Sequence, residues 1–101
     1  MKLTELLLTK LNEESVEVAQ RVDKALWFGL EEIQPGQSLT NRERLVQEMN
    51  DWVAASSMLV QYGIIPGNWQ NAEAIAEKKN KVRHFMKYSR DLGICEPSAL
   101  G

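Results

Sequence analysis

The sequence contains little cysteine and little histidine, the residues that build most redox and transition-metal sites. Cys95 is the only cysteine and His84 the only histidine among the 101 residues. A single cysteine excludes an intrachain disulfide and a metal site made of several cysteines. A single histidine excludes the di-iron type of helical bundle, because those proteins need Glu-x-x-His pairs on two helices. We therefore interpret Cys95 as a bystander thiol and His84 as a helix-surface residue.

Long hydrophobic runs and an excess of one charge are also missing. No apolar segment approaches the roughly 20 residues of a membrane-spanning helix. Glu5 and Glu13 interrupt the leucines near the N-terminus, and no small-residue cleavage site follows them, unlike in a secretion signal. The formal net charge of -2 lacks the basic excess typical of nucleic-acid-binding proteins. We expect a cytoplasmic protein with neither a membrane nor a nucleic acid as partner.

Sustained strand alternation is absent as well, and helical periodicity dominates the chain. We predict an all-α protein, a single helical domain over residues 1–101 built as a bundle of about three to four helices. Thr40 and Glu43 have the spacing of a capping box, and Gly29, Gly63 and Gly93 are placed to end helices. The predicted segments are a helix at 1–28, a connector at 29–39, a helix at 40–62, a basic helix at 71–92 and a tail at 93–101.

Two acidic pairs with the same spacing are the most informative pattern that is present. Glu14 and Glu17 lie three residues apart on the first predicted helix, and Glu48 and Asp51 do so on the second. Residues three apart are about 60° apart around a helix axis and share a face. Each pair lies within the apolar stripe of its own helix, where a charged side chain is unfavourable unless something compensates its charge.

If the two acidic faces meet, four carboxylates converge in a partly buried place. Their repulsion and desolvation then require a compensating cation, and a ligand set made only of oxygens favours Mg²⁺, with Mn²⁺ as a substitute. Each pair alone is also typical of a solvated helix surface. A further alternative is that the acids form salt bridges with Arg21 and Lys24 of the first helix or Arg83 of the third.

Two other features admit both a structural and a functional interpretation. Basic residues and one amide lie along the third predicted helix, and they form either a solvated polar face or a set of groups that hold phosphate oxygens. Trp27, at the end of the first helix, is a core aromatic by default, and the alternative is that it stacks on a nucleobase. The third-helix residues in question are Lys79, Asn80, Arg83 and Lys87.

The motif Glu13-Glu14-x-x-Glu17 followed by Glu48-x-x-Asp51 resembles that of the MazG-like, all-α nucleoside triphosphate pyrophosphohydrolase superfamily. The connector resembles that of a short MazG-like subgroup of phages and bacteria, and Asn80 with Arg83 resembles the basic motif of the superfamily. Two departures are visible. The segment between the acidic motifs, residues 18–47, is slightly longer than is usual there, and His84-Phe85 follows Arg83 in place of a Lys-Tyr-Pro ending.

The resemblance implies an Mg²⁺-dependent enzyme that cleaves a nucleoside triphosphate between its α and β phosphates, giving a monophosphate and pyrophosphate. It also implies a homodimer or homotetramer in the cytoplasm of a bacterium or of a phage-infected host. Glu13 would support the metal ligands or orient a water molecule. Trp27 is a candidate for contact with the substrate through the stacking described above, independently of the resemblance. The implied metal ligands are Glu14, Glu17, Glu48 and Asp51, and the implied phosphate contacts are Asn80, Arg83, Lys79 and Lys87.

Two other classes of function remain compatible with the residues. One is a noncatalytic nucleotide- or metal-binding module that regulates a partner, which would bind triphosphates without turning them over. The other is a helical interaction protein whose acids form only salt bridges. Adding metal distinguishes a metal site from the second class, because metal binding stabilises the folded state.

Overall fold

The structure is a computed structural model of the chain and describes residues 1–96. That part is all-α, as predicted, and contains no strand. Its helices are α1 (Leu3–Phe28), α2 (Asn41–Gln61) and α3 (Ala72–Asp91). The chain divides into two compact units, Met1–Gly67 with α1 and α2, and Asn68–Gly101 with α3. Residues 97–101 of the predicted tail lie outside the described residues. None of the described helices has the combination of length and apolarity needed to cross a membrane.

Helices α1 and α2 pack against each other as an antiparallel pair. Leu7, early in α1, lines a groove together with Ala55 in the second half of α2. Val22, late in α1, lines another groove together with Leu45 near the start of α2. Rising residue numbers on α1 therefore meet falling numbers on α2. This pairing brings the middle of one helix against the middle of the other.

The core between α1 and α2 is small. Within residues 1–96, the buried apolar side chains are Leu7, Ala55 and Leu59. The buried Ser56 satisfies its hydroxyl by donating to the backbone oxygen of Trp52 at 3.0 Å. Several apolar side chains of the pair stay 40–54% exposed: Val22, Val46, Met49 and Val53. One apolar side of the helix pair is thus left uncovered by the described part of the chain.

Asn41, the first residue of α2, ties the connector to the helix pair. Its side chain is fully buried, and its amide donates to the backbone oxygen of Gly29 at 2.8 Å and to Glu32 Oε1 at 3.1 Å. The backbone N–H of Asn41 donates to the oxygen of Glu32 at 2.9 Å. Gly29 ends α1 with a φ of +95°, which favours glycine. These contacts fix where α2 begins relative to the end of α1.

The capping box predicted at the start of α2 is confirmed. Thr40 Oγ1 accepts from the Glu43 N–H at 3.1 Å, and Glu43 Oε1 accepts from the Thr40 N–H at 3.2 Å. At the other end, Gly63 follows the last turn with a φ of +71°, and the N–H of Ile64 donates to the oxygen of Leu59 at 2.8 Å. This is the hydrogen-bond pattern of a glycine-terminated helix.

The second unit contains α3. The helix is preceded by Asn71, whose Oδ1 accepts from the Ala74 N–H at 2.9 Å and caps the first turn. None of the residues of α3 is buried within the described structure. Its apolar side chains Val82 and Phe85 are 47% and 66% exposed.

Candidate metal centre

The two acidic pairs meet between α1 and α2. One carboxylate oxygen from each of Glu14, Glu17, Glu48 and Asp51 lies within 4.8 Å of the others. We call these four residues the carboxylate cluster. The predicted convergence of the four acids is therefore confirmed, and it follows from the antiparallel pairing, which sets the middle of α1 against the middle of α2.

Two members of the carboxylate cluster are partly withdrawn from solvent. Glu14 and Glu48 are half-buried, whereas Glu17 and Asp51 are exposed. Oε2 of Glu14 and Oε2 of Glu48 are both shielded from solvent and have no hydrogen-bond partner within residues 1–96. A shielded carboxylate oxygen without a donor is unfavourable. Each of these two oxygens therefore needs a proton or a cation.

The packing raises the pKa of both half-buried acids above the ordinary value of 4.5. For Glu48 the main cause is desolvation, followed by a hydrogen bond with Glu17 and by the negative charges of Glu17, Asp51 and Glu14. The pKa of Glu14 is raised by desolvation, then by its hydrogen bond with Glu17 and by the charges of Glu17 and Asp51, while Lys10 acts in the opposite direction. The cluster thus disfavours its own full ionisation.

Lys10 lies beside the cluster but directs its ammonium to Glu13. Its Nζ donates to Glu13 Oε2 at 3.0 Å, and this hydrogen bond is the main cause of a raised pKa for Lys10. The same lysine lines a groove of about 420 Å³ together with Glu14 and Asp51. Lys10 was not predicted as a site residue, although its position four residues before Glu14 puts it on the same helix face.

The nearby cations of α1, Arg21 and Lys24, do not neutralise the carboxylate cluster through salt bridges. Neither Arg21 nor Lys24 forms an ion pair within residues 1–96, unlike Lys10 with Glu13, Arg42 with Glu31 and Lys87 with Asp91. The salt-bridge hypothesis is therefore wrong for these two cations. Arg21 even leaves one buried guanidinium nitrogen, Nη1, without a hydrogen-bond partner in that range.

The remaining predicted site residues lie outside the carboxylate cluster. Glu13 is on α1 but pairs with Lys10, and its side chain is 50% exposed. Asn80 and Arg83 are brought together on α3, where Arg83 Nη1 donates to Asn80 Oδ1 at 3.0 Å. Lys87 pairs with Asp91 at 3.5 Å, and Lys79 is exposed. These α3 residues belong to the second compact unit.

Trp27 is not a core aromatic. Its side chain is 81% exposed, and its ring centroid lies 6.4 Å from that of Phe28. The expectation that the core contains it is wrong, because Trp27 lies about 140° around α1 from Glu14, outside the stripe that packs against α2. Trp27 lines a surface pocket at the end of α1.

The chemistry of the carboxylate cluster follows from its donor atoms. All four candidate ligand atoms are carboxylate oxygens from two helices, and no histidine or cysteine belongs to the group. Such a set suits a hard divalent cation better than a soft one. Two exposed members leave the cluster open on one side, so a ligand that carries its own oxygen atoms has access to a cation held there.

Comparison with known proteins finds no match for this chain among protein families, curated proteins or solved structures. The assignment of a function therefore depends on the geometry of the carboxylate cluster and on the motif resemblance stated above. The geometry supports a site able to hold a metal ion. The reaction is a separate question, because a metal site does not by itself fix a chemistry.

Proposed function

We propose that the protein is an Mg²⁺-dependent nucleoside triphosphate pyrophosphohydrolase, with Mn²⁺ as a substitute metal. The observation that carries the proposal is the convergence of four carboxylates from two motifs within 4.8 Å. The same four residues are the ones that the MazG-like resemblance assigns to the metal. The expected products are a nucleoside monophosphate and pyrophosphate.

The donor set fits a magnesium ion. The unpartnered, shielded oxygens of Glu14 and Glu48 come from different helices, so a cation between them would satisfy both at once. Glu17 and Asp51 would complete the ligand set from the exposed side. When bound there, the ion would supply Lewis-acid stabilisation of charge at the α-phosphorus and would lower the pKa of a coordinated water molecule.

The chain's own groups would bind and orient the triphosphate. Arg83, which holds Asn80 in place at 3.0 Å, offers further guanidinium donors for phosphate oxygens. The resemblance also implies that Lys79 and Lys87 contact phosphate oxygens as positive charges. Glu13 would act from outside the metal ligands, by holding Lys10 or orienting water, because its carboxylate already pairs with Lys10.

The test is turnover across ribo-, deoxyribo- and noncanonical triphosphates with Mg²⁺, measuring pyrophosphate and phosphate separately. We expect pyrophosphate as the product. Glu48→Gln and Asp51→Asn should each lower the rate by more than about 100-fold, because loss of a metal ligand should exceed the 10- to 100-fold effect of altering its outer-shell partners. Glu5→Gln, on an exposed side chain of α1 outside the carboxylate cluster, is the control and should keep full activity.

Three outcomes would overturn the proposal in different ways. Phosphate without pyrophosphate would mean that another bond is cleaved. Tight triphosphate binding without turnover would identify a regulatory binding module instead of an enzyme. Turnover that survives both substitutions would mean that the carboxylate cluster is not the reactive site.

We further propose that the chain works as a homodimer or homotetramer in the cytoplasm, where triphosphates and Mg²⁺ are available. The support is the uncovered apolar side of the helix pair, with an open groove of about 360 Å³ lined by Ser15, Val18, Met49, Trp52 and Val53. Exposed apolar surface of this kind is typical of subunit contacts. Light scattering after size exclusion tests this, and a monomer at micromolar concentration would contradict it.

A further inference from the structure

The face of α1 that carries the carboxylate cluster continues past it into an open pocket. This pocket has a volume of about 600 Å³. Arg21, Lys24 and Phe28 follow Glu17 at steps of three to four residues, so they lie on the same face of the helix in successive turns. The pocket is lined by Gln20, Arg21, Asp23, Lys24, Trp27 and Phe28.

The first part of this face presents two cations that form no ion pair within residues 1–96. Nη1 of Arg21 is buried and has no hydrogen-bond acceptor within residues 1–96. A desolvated guanidinium donor is unfavourable without an acceptor, and an anionic oxygen is its best one. Lys24 forms no ion pair in the described range, and its Nζ lies 5.7 Å from the ring centroid of Phe28. Neither cation is neutralised by a carboxylate in that range, so an anionic ligand would compensate both charges.

The far end of the pocket presents aromatic rings. Trp27 is 81% exposed and Phe28 is 48% exposed. Their ring planes are tilted by 53° with centroids 6.4 Å apart, so they do not stack on each other. An exposed indole beside a second ring offers a surface on which a planar ligand can stack.

The spacing along the helix defines the kind of ligand. With a rise of 1.5 Å per residue, Arg21 lies about 6 Å beyond Glu17 and Trp27 about 15 Å beyond it. A ligand that fills the whole face needs negatively charged oxygens at one end and a planar ring at the other. A nucleotide has both, whereas an inorganic polyphosphate lacks the ring and a free nucleobase lacks the charge.

We propose that Arg21 and Lys24 bind a phosphate group of a nucleotide while Trp27, flanked by Phe28, stacks on its base. We call these four residues the α1 strip. This inference rests on the proposed function in one respect, since the carboxylate cluster is taken as the end at which the phosphate chain reacts. The α1 strip then makes the protein selective for nucleotides over inorganic polyphosphates.

The experiment compares two probes by calorimetry in the presence of Mg²⁺. One is an α,β-methylene nucleoside triphosphate, which resists cleavage, and the other is inorganic tripolyphosphate. Trp27→Ala should weaken binding of the nucleotide roughly 5- to 150-fold, the range for one stacked base, without changing the affinity for tripolyphosphate. Trp27→Phe should restore most of the loss, and Arg21→Gln should weaken binding of both probes.

Leu26→Ala is the matched control, because Leu26 is 78% exposed and adjacent in sequence but lines a different groove. It should leave both affinities unchanged. Equal affinity for the two probes, with no effect of Trp27→Ala, would overturn the proposal. So would a Trp27→Ala variant that weakens both probes alike and changes the molar mass in solution, since the strip would then be a contact between copies.

The two proposals fail separately. If Glu48→Gln abolishes turnover while Trp27→Ala leaves nucleotide affinity intact, the α1 strip is wrong and the proposed reaction stands. If nucleotide binding depends on Trp27 but no triphosphate is cleaved, the α1 strip stands and the proposed reaction is wrong.

Discussion

Replacing Glu48 with glutamine should change stability in opposite directions without and with Mg²⁺. Without metal, the substitution removes one negative charge from a group whose oxygens lie within 4.8 Å of one another. Two unit charges at that distance repel by about 0.9 kcal/mol in water and by about 3.5 kcal/mol at an effective dielectric of 20. Because Glu17 and Asp51 are exposed, we expect a gain near the lower end, ~1 kcal/mol.

With Mg²⁺ present, the order should reverse. A wild-type site at 100 times its dissociation constant gains about 2.7 kcal/mol. If the loss of one ligand weakens binding ~100-fold, the variant gains only about 0.4 kcal/mol at the same metal concentration. The variant should then be less stable than wild type by roughly 1.3 kcal/mol, even after its advantage without metal.

Thermal unfolding in EDTA and in saturating Mg²⁺ measures both differences. One kcal/mol corresponds to about 4–8 °C for a domain of 60–100 residues, so each shift is well within detection. Glu5→Gln, about 13 Å along α1 from Glu14, should leave the metal-induced shift unchanged. A Glu48→Gln variant that is destabilised equally in both conditions would refute the reasoning, because Glu48 would then be a structural residue with no metal.

Three further predictions concern pH and the connector. Because the pKa values of Glu14 and Glu48 are raised, the folded state binds more protons than the unfolded state above pH 4.5, so metal-free stability should fall as pH rises through that region. Melting curves in EDTA should show this fall, and the pH dependence should be weaker in Glu48→Gln. A stability that rises with pH would contradict the raised pKa values of the two acids. Asn41→Ala should lower the free energy of unfolding, measured in urea, by about 1–3 kcal/mol, because it removes two hydrogen bonds of a buried side chain. Asn50→Ala, at an exposed position, should change the free energy of unfolding little. Thr40→Ala should lower the free energy of unfolding by about 1 kcal/mol, because it removes the side chain that caps α2. A decrease smaller than that of Asn50→Ala would show that the capping box does not contribute to stability.

Sequence patterns predicted the features that depend on local chemistry. The Thr40–Glu43 capping box is one, because its two hydrogen bonds join residues three apart. The convergence of the four acids was also predictable, because it depends mainly on local helical spacing. Helical spacing places each pair on one apolar stripe, and two stripes that pack together bring the pairs into contact.

Features that depend on the path of the connector were not predictable in the same way. The burial of Asn41 requires the chain to fold back so that its amide reaches Gly29 and Glu32. Trp27 was expected in the core because aromatics usually bury their area, although its position about 140° around α1 from Glu14 turns it away from α2. The pairing of Lys10 with Glu13 in preference to the cluster depends on side-chain geometry that spacing alone leaves open.

The position of the cluster argues against a purely structural role. Glu14 and Asp51 line the same groove as Leu7 and Ala55, which belong to the small apolar core of the described chain. Apolar side chains of similar size at these positions would extend that core and remove the repulsion between carboxylates, and such replacements of charged groups are often stabilising. A helix pair with so little buried apolar surface gains nothing in stability from four acids placed there. Their presence is understandable if a cation occupies the cluster, because the ion then joins α1 to α2 where the apolar core does not. The lower stability of the metal-free protein would then be a cost of keeping a functional site.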